Sequence, residues 1–84
     1  MPIESVSRAF LLLNCDIGAE NAIISEISGI SGVSEATGLS GVYDIIAKVN
    51  AESDNDISKI VTKIRSIANI RSSLTMIVAE DRND

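Results

Sequence analysis

The run AFLLLNC, residues 9–15, is apolar on both faces of any strand it forms: Phe10 and Leu12 point one way, Ala9, Leu11, Leu13 and Cys15 the other. A strand of this kind has to be covered twice. In a chain of 84 residues, long enough for one two-layer core and little more, one cover comes from the chain itself and the second has to come from elsewhere. The whole chain therefore reads as one domain, 1–84, with a surface built for association.

The remaining elements follow from periodicity. Ile23, Ile24, Ile27 and Ile30 form a helical stripe with Glu20 at its positive end, and Gly29 or Gly32 is positioned to end that helix with a left-handed residue. A more polar strand over 33–39, with Ser34, Glu35 and Thr37, suits a sheet edge. The turn at 38–41 reverses the chain into a strand over 43–49, as a hairpin. Ser53, Asp54, Asn55 and Asp56 form a capping box with a short acid, in front of a helix that buries Ile57, Ile60, Val61, Ile64, Ile67 and Ala68. The last strand, 72–79, alternates Leu74, Met76 and Val78 with Thr75, Ile77 and Ala79 before Glu80 to Asp84 fray into solvent. With the first strand at 6–15, the order is β-α-β-β-α-β.

That order with right-handed crossovers predicts an α+β, ferredoxin-like fold: a four-stranded antiparallel sheet, its first and third strands central, with both helices on one face. The other face stays apolar, so the expectation is a homodimer packed sheet to sheet, a dimeric α/β barrel.

Composition excludes several functions. Twelve acids against 7 bases give a net charge of −5, which repels phosphate backbones, so no direct nucleic-acid partner is expected. Lys59, Lys63 and Arg65 read as the solvated face of the second helix. With no histidine and one cysteine there is no intrachain disulfide, no expected metal or cofactor site and no usual general base. Cys15 reads as a small buried hydrophobe in a reducing, cytoplasmic protein. The stretch FLLLNC imitates a signal peptide, but residues 9–13 fall short of the about 7–15 apolar residues required. No stretch approaches the ~20 residues of a membrane span, so no membrane partner is expected. Nucleophile and phosphate-binding motifs are absent, and the Gly38-x-x-Gly41 pattern, in a hairpin without basic neighbours, is no nucleic-acid clamp. No enzyme is expected.

Asp44, directly before an apolar strand, has two readings. Its carboxylate can accept hydrogen bonds from the N–H groups of the turn at 38–42 and pin the hairpin. Alternatively it pairs with a ligand ammonium while the Gly-rich loop receives a carboxylate, the two halves of a zwitterionic amino acid.

At this point SGVYDIIAKV, residues 40–49, resembles the glycine, variable residue, aromatic, aspartate, aliphatic signature of the RAM domain, the effector-binding module of the Lrp/AsnC transcription factors. The resemblance runs from about Val6 to Glu80. It implies dimers that assemble into higher oligomers and an amino acid bound between neighbouring dimers. It also implies a ligand-binding segment of Gly41, Val42, Tyr43 and Asp44, with Gly41 offering backbone and Asp44 holding the α-ammonium. Ser73 and Thr75, a hydroxyl-x-hydroxyl pattern on the last strand, would contribute from across the interface. Ser73 departs from the more common threonine, and no helix-turn-helix precedes the first strand, so the chain resembles a stand-alone RAM protein. The expected function is a regulatory module that couples an amino acid or similar small effector to oligomeric assembly and so modulates transcription or amino acid metabolism. The alternative is a ligand-free subunit that forms mixed oligomers with full-length Lrp/AsnC regulators.

Overall fold

The computed structural model describes residues 7–78. The elements are β1 (Ser7–Cys15), α1 (Glu20–Ser28), β2 (Val33–Gly38), β3 (Ile45–Ala51), α2 (Asp54–Arg65) and β4 (Ile70–Ile77). The sheet order is β2-β3-β1-β4 and every pairing is antiparallel, so β1 and β3 are central, as expected. Val6 and the expected fray from Glu80 to Asp84 lie outside the described residues.

The two-faced pattern of β1 resolves cleanly. Ala9, Leu11, Leu13 and Cys15 are buried beneath the helices, where they join Ile45, Ala47 and Val49 of β3. Ile23 and Ile27 of α1 and Ile57, Val61 and Ile64 of α2 complete this core, and no polar side chain among the described residues is buried in it. Full burial of each large aliphatic side chain contributes about 1.5–3 kcal/mol, which makes this layer the main source of stability. On the other face lie Phe10, Leu12, Ile46, Leu74, Met76 and Val78, with Leu74 and Met76 still 44% and 43% exposed.

Local sequence explains the boundaries. The Ser53 hydroxyl accepts the Asp56 N–H at 3.1 Å, capping α2, with Asp54 and Asp56 in the first turn and Lys63 and Arg65 in the last. The helix ends at Arg65, so Ile67 and Ala68 lie beyond α2, half-buried and exposed, and within it Ile60 is only half-buried. α1 ends two residues before the isoleucine stripe does. Ile30 still packs against the core, but through a turn. Gly29 keeps right-handed backbone (φ −86), and the left-handed residue is Gly32 (φ +100), one step before β2.

β3 starts at Ile45 and not at residue 43, while β4 starts two residues early, at Ile70. In the first case the chain is still turning through Tyr43 and Asp44. In the second, an irregularity at Asn14/Cys15 lets Cys15 pair with Ile70. Asn69 (φ 76), a residue type that tolerates the left-handed region, steers the chain into β4.

Gly32 is the glycine whose replacement has the clearest consequence. Its carbonyl accepts the Asn50 N–H at 2.8 Å, its φ disfavours L side chains, and an added Cβ would run into Ile60 Cδ1 and sit 3.2 Å from the Asn50 carbonyl. Gly32→Ala is expected to destabilise by about 1–2 kcal/mol. Thermal unfolding should register this as a Tm lower by roughly 5–15 °C.

Candidate functional site

The site is assembled where β1 ends and β3 begins. Asp44 is held there by three hydrogen bonds. Its N–H donates to the Leu13 carbonyl at 2.9 Å, its carbonyl accepts the Leu39 N–H at 2.7 Å, and its Oδ2 accepts the Cys15 N–H at 2.9 Å. This corrects the pinning partner expected for the carboxylate: the donor belongs to the end of β1 and not to the turn at 38–42. The reason is geometric, since Leu39 N–H is taken by the Asp44 carbonyl and β1 ends with an N–H that has no neighbour in the ladder beyond Ile45. Residues 39–42 are left exposed, with Gly41 at φ +151 and Val42 85% exposed.

Beside Asp44 opens a cleft of about 490 Å³ lined by Asn14, Cys15, Val42, Asp44, Arg71 and Ser72. The Asn14 amide donates to the Ser72 hydroxyl at 3.3 Å, which ties the β1 and β4 walls together. The Arg71 guanidinium stands 3.9 Å from Asp16, both well exposed, so the pair contributes little and the guanidinium can turn to a ligand. Asp44 Oδ1 is in no hydrogen bond among the described residues. The cleft thus carries a carboxylate acceptor, a cationic donor and neutral polar groups within one rim.

The structure brings together only part of the expected set. Asp44 and Val42 line the cleft, while Gly41 and Tyr43 belong to the same loop without lining it. Ser73 sits next door, in a depression of about 230 Å³ with Arg65, Ile70, Arg71 and Ser72. Thr75 is elsewhere: it faces α2 in a groove with Ile57, Ser58, Val61, Thr62, Arg65 and Ile77. Alternation explains the split, because Ser73 and Thr75 lie opposite Leu13 and Leu11 on the helix face, whereas Ser72 lies opposite Asn14 on the open one. Asn14, Cys15, Arg71 and Ser72 are the lining residues that periodicity missed. The signal for them was present in the polar Asn14 at the end of an apolar strand and in the register it sets with β4.

Cys15 contributes its backbone. Its side chain is 6% exposed, and burial, followed by the negative charges of Asp44, Glu20 and Asp16, pushes the thiol above its ordinary range. Both effects keep it protonated and unreactive. Among the described residues no three His, Cys, Asp or Glu side chains are placed to hold a metal ion, and no helix is long and apolar enough to cross a membrane.

A model of the Lrp/AsnC ligand-binding domain matches residues 8–83. The chain belongs to that family. As an Lrp/AsnC ligand-binding domain it is similar to the crystal structure of FFRP-DM1, with a TM-score of 0.82 and 31% identity, over 87% of this chain and 99% of that one. It is also 35% identical over 78 residues to homocitrate synthase of Saccharolobus solfataricus. That match takes in 92% of this chain but only 17% of the synthase. A Neisseria meningitidis transcriptional regulator, NMB0573, solved in complex with L-Met, superposes with a TM-score of 0.77 at 15% identity. The superposition covers 93% of this chain and 53% of the regulator, and at that identity it shows the shared Lrp/AsnC fold alone.

Proposed function

We propose that this Lrp/AsnC domain is a regulatory module that binds an amino acid or a similar small effector at the rim cleft, between sheet-to-sheet dimers, and couples occupancy to oligomeric assembly. The observation that carries the reading is the divided role of Asp44. One carboxylate oxygen is committed to Cys15 and holds the group in place, while the other is in no hydrogen bond among the described residues, and Asp44 lines a cleft that the exposed Arg71 also lines. A carboxylate and a guanidinium across one small cleft match the ammonium and carboxylate of a free amino acid. The L-Met complex of the Neisseria regulator supports an effector of this class.

In this reading Gly41, Val42, Tyr43 and Asp44 form the loop side of the site, and Ser73 and Thr75 are supplied by a neighbouring copy, since in one chain Thr75 stands away from the cleft. The module does no chemistry. It acts in the cytoplasm by shifting assembly, which modulates transcription or amino acid metabolism through whatever the assembly contacts. Ligand at ~100 times its dissociation constant stabilises the binding-competent state by about 2.7 kcal/mol per site, enough to shift a weak contact between dimers.

Native mass spectrometry of the purified chain with a panel of amino acids tests this directly. Discrete adducts that change the oligomer distribution are expected. An assembly indifferent to every amino acid would overturn the effector reading in favour of a ligand-free subunit that joins full-length Lrp/AsnC regulators. Asp44→Asn sharpens the test, because the amide oxygen can still accept the Cys15 N–H while the charge is gone. Affinity is expected to fall more than tenfold in a variant that stays folded and dimeric. Unfolding or dissociation without loss of affinity would leave Asp44 with the pinning role alone.

A further inference from the structure

The open sheet face is not uniformly apolar. Leu12, Ile46 and Leu74 form an aliphatic row near the rim cleft, but at the other end of β1, about 20 Å away, the face turns basic. There Arg8 pairs with Asn50 and Phe10 with Lys48 across the β1–β3 ladder. These residues, with Ser34 and Val78, enclose a depression of about 430 Å³.

Its walls are well defined. The Val78 N–H donates to the Arg8 carbonyl at 2.8 Å on one side, and the Ser34 hydroxyl, at an irregularity in β2, donates to the Lys48 carbonyl at 3.4 Å on the other. The Lys48 ammonium lies 6.0 Å from the centroid of the Phe10 ring and 3.7 Å from Glu35. Both members of that ion pair are about half exposed, so it is weak and open to competition.

Among the described residues, charge does not balance here. The described ion pairs are Lys48 with Glu35 and Arg71 with Asp16, which leaves Arg8 outside any ion pair among the described residues. The described strands present one carboxylate, Glu35, to two cations on this face. Among the described residues, a second sheet over this face would take a guanidinium and an ammonium out of water against a single counter-charge, which is unfavourable for the uncompensated ion. One further negative charge, on a molecule whose body can lie against Phe10 and Val78, removes that cost.

We propose that this depression is a second binding site, for a small monocarboxylate with a short apolar body: its carboxylate bridges Arg8 and Lys48, and its body packs on Phe10 and Val78. A guanidinium offers the paired N–H donors that a carboxylate accepts, and the Asn50 amide adds a neutral donor. The desolvation step rests on the sheet-to-sheet dimer of the proposed function; the shape and charge of the depression do not.

Isothermal titration calorimetry of the full chain with sodium hexanoate is the test, with hexanol and hexylammonium chloride as controls for apolar body and charge sign. Saturable hexanoate binding is expected, with none for either control. Arg8→Gln and Lys48→Gln, both exposed in the single chain and checked for folding and for unchanged oligomeric state, should each weaken it at least tenfold, and Glu35→Gln should tighten it severalfold by freeing Lys48. Asp44→Asn should lose its amino acid response and keep its hexanoate affinity, so either site can fail alone. No saturable binding, binding that survives both cation variants, or binding abolished by Asp44→Asn would each overturn the proposal.

Discussion

Leu11→Asp should abolish the fold. Leu11 is completely inaccessible, opposite Ala47 on β3 and Thr75 on β4, in a layer that contains no buried polar side chain among the described residues. Removing the leucine costs about 2–5 kcal/mol in lost burial and packing. Its replacement adds the cost of either burying an unpaired carboxylate or protonating it at neutral pH, several kcal/mol more. A domain of this size has only about 4–13 kcal/mol in total. The sum of the two costs reaches that range, so far-UV circular dichroism at pH 7 should show no cooperative unfolding transition. The sign of the pH dependence follows from the burial. The carboxyl's folded-state pKa is raised, so the penalty is fully present above that value and fades as pH falls towards the unfolded value of ~4. Recovery of a thermal transition in acid is therefore expected. A Leu11→Asp protein that folds normally at pH 7 and merely dissociates would place Leu11 on the wrong face.

Leu11 also shows how far the sequence alone could go. Its strand was legibly apolar on both sides, and the order of elements was enough to establish the sheet, its central strands and a one-sided helix layer. Which side of β1 the helices cover was not legible, because Ala9, Leu11 and Leu13 look no different from Phe10 and Leu12 when each set is apolar. Tertiary packing decided it. The rim site was half legible for a related reason. Asp44 stands out in sequence because an acid before an apolar strand is unusual. Its partner, the Cys15 N–H, is 29 residues away and depends on where β1 stops pairing. Arg71 and Ser72 enter only through the early start of β4 and the irregularity at Asn14/Cys15, a shift of register that periodicity cannot express. Thr75 illustrates the converse. The hydroxyl-x-hydroxyl pattern of Ser73 and Thr75 falls on one face of β4, but that face is the one under α2, and the two residues line different depressions. Arg8 and Lys48, separated by 40 positions, read singly as ordinary surface cations, and become neighbours only through the β1–β3 register.

Leu12→Asp, one residue from the core position, is expected to have the opposite consequence: an intact fold and a lost dimer. Leu12 lies between Ile46 and Leu74 in the central row of the open face, with Phe10 and Met76 in the adjoining row. In the free chain the new carboxylate would meet water, so the unfolding transition should persist, with a change within about 1 kcal/mol. In a sheet-to-sheet dimer it would be buried twice, once from each copy, on a surface whose described carboxylate, Glu35, is the same sign. Leaving a buried charge without a partner costs about 3–5 kcal/mol, which weakens association by more than a hundredfold. Sedimentation velocity at micromolar concentration should show a folded monomer where the parent chain is expected to run as a dimer or larger. Because the proposed effector cleft is completed by neighbouring copies, the same variant should also lose the amino acid response, even though Leu12 does not line the cleft. A variant that stays dimeric would move the association surface off the open face. In that case Phe10, Leu12, Ile46, Leu74 and Met76 would need another cover, since an apolar surface of this extent is seldom left to water.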